Sequence, residues 1–146
     1  MSPFSKFFDL DETSFAAMEK QQTVNRLLTN ILSDKLAESR DFYVQLFEFD
    51  IDYDSDWFVH LISKKGLEIG ILSTTSDFVP PNVSPQAGGF YITLVVDDVD
   101  GVFEQCQRLG IPVLEPPRNL DYGQRRMLIQ DPNGVVLDVS APAGGA

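Results

Sequence analysis

The sequence predicts an α+β fold made of two βαβββ modules, and three observations carry that expectation. First, the chain echoes itself at an offset of 63 residues: Leu28 falls on Tyr91, Asn30 on Thr93, Leu32 on Val95, Leu36 on Val99 and Leu46 on Leu109. Few of these pairs are identities, but the roles agree along a strand, a cap (Asp34 on Asp97) and a helix face. Second, each half reads as strand, helix, then three strand-like runs. Third, "STTSDFVPPNVSPQAGG" separates the halves, and its prolines and glycines forbid regular structure. One domain follows: an N-terminal arm over 1–23, module one over 24–75, a linker over 76–89 and module two over 90–142.

The elements follow in chain order. In the arm, "DETSFAAMEKQQ" reads as a short capped helix, and Phe4, Phe7, Phe8 and Phe15 need an apolar surface to cover. A strand precedes the first helix, whose Leu36, Ser39, Phe42, Tyr43, Leu46 and Phe47 share one side. The runs "FDIDYDSD", "WFVHLIS" and "LEIGILS" then read as strands, with turns at Asp-Ser-Asp and at "KKG". In the second half, Val99, Val102, Phe103, Cys106 and Leu109 form an apolar stripe of helical period. Asp97 or Asp98 caps that helix and Gly110 stops it. "IPVLEPP", "QRRMLIQ" and "VVLDVSA" complete the module. The turn "DPNG" joins the last two, because Pro132 pre-sets φ and Gly134 accepts positive φ.

Composition narrows the function. The 146 residues suffice for one ordinary domain. A net charge of −11 repels nucleic-acid backbones and anionic membranes, so neither is an expected partner. No apolar run approaches the ~20 residues of a membrane span. The single cysteine, Cys106, excludes an internal disulfide framework and lies on the helical stripe, which predicts a buried packing thiol. A cytoplasmic location is the expectation.

Three stretches, "SDKLAESRDFYVQLFEFD", "VVDDVDGVFEQCQRLGIPV" and "YGQRRMLIQDPNGVVLDVS", resemble the vicinal oxygen chelate superfamily of glyoxalases, bleomycin-resistance proteins and extradiol dioxygenases. The resemblance covers about residues 24 to 142. It implies curved mixed sheets that form a cup with helices outside. It also implies a divalent metal at the base, held by the first and last strands of each module, with a homodimer as the usual assembly. The metal grips two neighbouring substrate oxygens as a Lewis acid.

This chain departs from that pattern. The first-strand ligand positions carry Leu27 or Leu28 in module one and Tyr91 in module two, and neither leucine donates to a cation. The last strands offer Asp138 and Glu68, or Gly70 in place of Glu68 if the register shifts. The only histidine, His60, faces the cup together with Phe58 and Ile62 if Trp57, Val59 and Leu61 face the helices. Two carboxylates without a nitrogen ligand hold a transition metal weakly, so no cofactor is expected. The expected function is therefore binding of a small organic ligand in an aromatic-lined cup. The candidate ligand-binding residues are Asn30, Phe58, His60, Glu68, Tyr91, Thr93, Tyr122, Arg125 and Asp138. Trp57, Phe78 and Phe90 are further stacking candidates, and Gln124 a further polar one. Strand alternation allows only one of Arg125 and Arg126 to face the cup. The alternative is a divergent metal-dependent lyase or extradiol-type dioxygenase using Glu68 and Asp138, with His60 assisting.

Overall fold

A computed structural model describes residues 21–144, so the expectations for the arm's helix and its phenylalanines lie outside the described residues. Among the described residues, two four-stranded sheets alternate with two helices. Module one comprises β1 (Thr29–Ser33), α1 (Leu36–Phe47), β2 (Asp50–Asp54), β3 (Phe58–Ile62) and β4 (Glu68–Ser73). Module two comprises β5 (Ile92–Val95), α2 (Val99–Leu109), β6 (Val113–Asn119), β7 (Gln124–Gln130) and β8 (Val136–Pro142). The strand orders are β1-β4-β3-β2 and β5-β8-β7-β6, with β1–β4 and β5–β8 parallel and the other pairs antiparallel. This is the βαβββ repeat. β1 and β5, α1 and α2, and β2 and β6 begin 63 residues apart, the offset read in the sequence. Between Ser73 and Ile92 the chain forms no helix or strand.

Alternation divides each sheet into two faces. In module one Ile31, Val59, Leu61, Ile69 and Ile71 are buried against Phe42, Tyr43 and Leu46 of α1. In module two Met127, Ile129, Leu137 and Val139 are buried with Val99 and Cys106 of α2. The two sets join in one core, and α1 touches α2. Cys106 is fully buried and burial pushes its thiol up, as a packing cysteine requires. Leu109 is an exception on the predicted stripe: at the last turn of α2 it is 41% exposed.

The caps differ between modules. Asp98 accepts from the backbone N–H of Gly101 at 3.0 Å, and Gly110 closes α2 at φ 72°. The cap role read at Asp34 is not taken up. Lys35 is the N-cap of α1 without a side-chain bond, while Ser33 Oγ accepts from its N–H at 2.9 Å.

A polar knot ties α1 to the β7–β8 turn. The Tyr43 hydroxyl, fully buried, donates to Asp131 Oδ2 at 2.7 Å. Asp131 Oδ1 accepts from the backbone N–H groups of Asn133 (2.8 Å) and Val135 (2.9 Å). Asn133 donates to Ser39 Oγ at 2.9 Å. Burial first, and the Asp131 charge second, hold the Tyr43 hydroxyl well above its usual pKa, so it stays a donor.

Candidate functional site

The face of module one away from α1 forms the floor of a cavity of about 720 Å³. That volume suits a drug-sized molecule. One cross-strand row defines the floor: Asn30 pairs with Gly70, Gly70 with His60 and His60 with Tyr53. Glycine at position 70 leaves room for the Asn30 amide. A Cβ would collide with Asn30 Oδ1 and come within 3.0 Å of Phe58 Cε1, so the Asn30 amide lies over a backbone without a side chain.

Rings make the wall. Phe58 lies 6.2 Å from Tyr53, 5.6 Å from Trp57 and 6.5 Å from His60, the last pair nearly parallel at 9°. From the linker, Phe78 reaches Trp57 at 5.1 Å. Such centroid distances suit offset aromatic contacts and leave flat faces towards the cavity.

An ionic chain runs along one side. His60 Nδ1 lies 2.8 Å from Asp52 Oδ2, and Nε2 lies 2.7 Å from Glu68 Oε1. Arg26, in the segment before β1, forks both Glu68 oxygens and brings Nη2 within 3.3 Å of His60 Nε2. Only a ring that carries a hydrogen on both nitrogens donates to Asp52 and to Glu68 together. Hydrogen bonds from Arg26, aided by His60 against the cost of burial, hold the Glu68 carboxyl down to about 2. The sign follows. A depressed carboxylate contributes stability that is fully present above the unfolded value of about 4.5 and is lost as pH falls through 2. Melting temperature measured from pH 7 to pH 2 is expected to show this acid limb, and Glu68→Gln is expected to flatten it. An unchanged limb in the variant would show that the clasp contributes nothing.

The structure brings together Asn30, Phe58 and His60 on this cavity, with Glu68 bonded behind the histidine. Thr93 lines a different groove of about 700 Å³ between β5 and the end of α1. Asp138 pairs with Thr93 on the other sheet. Three expected residues are displaced. Arg125 faces α2, where its guanidinium binds Asp100 at 2.8 Å, so alternation gives the concave side to Arg126. Tyr122 sits in the β6–β7 turn and is 70% exposed. Tyr91 precedes β5 at the module edge, is also mostly exposed and lies off the aromatic cavity.

The cavity also holds residues the sequence did not single out. A β-bulge between Ile51 and Tyr53 breaks strict alternation, so consecutive Asp52 and Tyr53 both line the cavity. The run "DIDYD" gives no sign of a bulge. Tyr53 alone was within reach of inference, from the β2–β3 hairpin that sets it opposite His60.

The donors do not fit the metal site that the resemblance implies. Both Glu68 oxygens accept from Arg26, and Leu28 occupies the cavity wall. Asp138 belongs to the other sheet, with Arg126 and Glu115 as its charged neighbours. Among the described residues no three His, Cys, Asp or Glu side chains are grouped to hold an ion.

Paired βαβββ modules whose sheets keep their helices on one face and a ligand-sized hollow on the other define a cup-forming class of small domains. The family model of the Glyoxalase/Bleomycin resistance protein/Dioxygenase superfamily matches residues 23–139, and the chain belongs to that superfamily. Solved structures share the fold. A virulence protein from Salmonella typhimurium superposes with a TM-score of 0.67 at 18% identity, covering 84% of this chain and 100% of that one. A glyoxalase/bleomycin resistance protein/dioxygenase from Nocardioides gives 0.66 at 16% identity, covering 92% and 95%. The bleomycin resistance determinant encoded on transposon Tn5 gives 0.60 at 20% identity, covering 82% and 98%. No curated protein sequence matches the chain significantly. No helix among the described residues is long and apolar enough to cross a membrane.

Proposed function

We propose that the protein binds a small planar organic molecule in the module-one cavity without a metal ion, in the manner of a sequestering protein. The observation that carries this reading is the ring wall of Tyr53, Trp57, Phe58 and Phe78 around a floor with placed polar groups, Asn30, His60 and Asp52. An aromatic ligand stacks on such a wall, while Asn30 and Asp52 orient its polar atoms. The Arg26 fork on Glu68 supports a cofactor-free site, because a cation would have to displace a guanidinium already bound to both oxygens. The same reading includes a homodimer, supported by apolar surface left open on module two: Val95 is 72% and Tyr91 64% exposed. It also includes a cytoplasmic location, which the single buried thiol suits.

Trp57 is the only tryptophan of the chain, so its fluorescence reports on the cavity directly. Titration with planar probes (acridine, quinoline-2-carboxylate, naphthalene) is expected to quench it saturably for at least one probe, with no dependence on chelator. The reading fails if no probe saturates while Zn²⁺, Ni²⁺ or Mn²⁺ binds stoichiometrically and is lost on Glu68→Ala or Asp138→Ala. Sedimentation equilibrium tests the dimer, and a monomer at all concentrations would remove that part.

A further inference from the structure

The groove of about 700 Å³ between β5 and the end of α1 opens directly onto the core. Its floor is apolar, made by Leu46, Phe47, Phe49 and Leu94 with Val102 of α2. Leu46 and Phe49 are buried, but Leu67 and Val95 in the same groove are 64% and 72% exposed. Large apolar groups left open around an apolar floor mark a surface that something covers. β5 is also the edge strand of its sheet, so one side of its backbone has no partner strand among the described residues. The rim is acidic. Glu48 and Asp98 line it, and no described Lys, Arg or His does.

The chain itself supplies an occupant. The described residues begin at 21, and Arg26 is tied to Glu68, the neighbour of Leu67, so the preceding segment leaves the fold close to the groove wall. Residues 1–20 hold two apolar stretches in different charge settings. "FSKFF", residues 4–8, carries Lys6 and no acid, whereas Phe15 stands between Glu12 and Glu19. An acidic rim attracts the first and repels the second. Phe8 precedes Arg26 by 18 residues, and that length of extended chain spans up to about 60 Å, ample to reach the groove. The covalent tether replaces a bimolecular encounter, so modest contacts suffice. We propose that the segment Phe4–Phe8 docks into this groove of its own chain, its phenylalanines against Leu67, Val95 and the floor, with Lys6 towards Glu48 and Asp98. Val95 is shared with the surface offered above to a second copy, whereas Tyr91 does not line the groove. No residue of the groove lines the aromatic cavity, so the docking stands apart from ligand binding there.

The test uses the full chain with Ser2→Cys carrying a nitroxide, since Cys106 is fully buried and escapes labelling. In the ¹⁵N-labelled protein the amides of residues 45–49, 93–96 and 101–105 are expected to lose most of their intensity and to regain it when the nitroxide is reduced. Leu67→Ser with Val95→Ser, both at exposed positions, is expected to abolish the loss, as is Phe7→Ser with Phe8→Ser. Phe15→Ser is expected to leave it unchanged. A mixture of nitroxide-bearing unlabelled chain with ¹⁵N-labelled parent chain is expected to show no loss at these amides. The proposal is overturned if the loss is absent or centres on residues 53, 57–60 and 78 of the aromatic cavity. It is equally overturned if the mixture reproduces the loss, which would make the occupant a second copy, or if the loss survives Phe7→Ser with Phe8→Ser.

Discussion

Asp131→Ala is expected to cost about 3–4 kcal/mol of folding stability, the largest effect of any single polar substitution considered for this chain. Three donors depend on the Asp131 carboxylate: the buried Tyr43 hydroxyl and the backbone N–H groups of Asn133 and Val135. Removing it leaves a fully buried phenol without an acceptor and opens the turn that starts β8. For a domain of this size the loss corresponds to roughly 10 °C in melting temperature. Tyr43→Phe separates the contributions. It removes one bond to a charged acceptor but keeps the packing and the turn, so about 1.5–3 kcal/mol is expected. Thermal unfolding of both variants settles the matter. If Asp131→Ala is no more destabilised than Tyr43→Phe, the turn bonds add nothing and the knot is a single contact.

Phe58→Ala is expected to weaken a planar ligand by about 30-fold, or ~2 kcal/mol. Phe58 is the middle ring of the wall and the only one within contact of Tyr53, Trp57 and His60 together. It also closes the space above Gly70. Its removal takes away one stacking face and lets the neighbouring rings move, so affinity falls by more than the area of one ring. Phe78→Ala is expected to have a smaller effect, about threefold, because Phe78 is 72% exposed and Trp57 is its one ring contact among the described residues. Dissociation constants from Trp57 fluorescence, corrected for the changed quantum yield, give the comparison. Equal losses in the two variants would place the ligand at the rim rather than on the floor.

Much of this architecture is legible in the sequence. The repeat, the helix faces of α1 and α2, the Gly110 stop and the DPNG turn are all encoded by residues within a few positions of one another. Period 3.6 and period 2 act locally. The inward placing of Phe58 and His60 followed from alternation, but Trp57, read with Val59 and Leu61 on the helix side, lines the cavity instead, because β3 begins only at Phe58 and the period does not extend to residue 57. Arg125 shows where this stops. Period 2 states that Arg125 and Arg126 oppose each other, but the choice of face depends on where α2 lies, and Asp100 settled it by binding Arg125.

By itself, then, the sequence determined the element order, the pairing of modules and the aromatic, histidine-bearing character of one sheet face, because side-chain periodicity and turn chemistry are short-range. Only the tertiary structure decided which distant side chains meet. Arg26 reaches Glu68 over a separation of 42 residues, and Tyr43 reaches Asp131 over 88. Asp52 enters the cavity only because one extra residue is inserted into β2. Such meetings depend on strand register, on a bulge and on the path of irregular segments. Those are fixed by packing of the whole domain and leave no periodic trace in the chain.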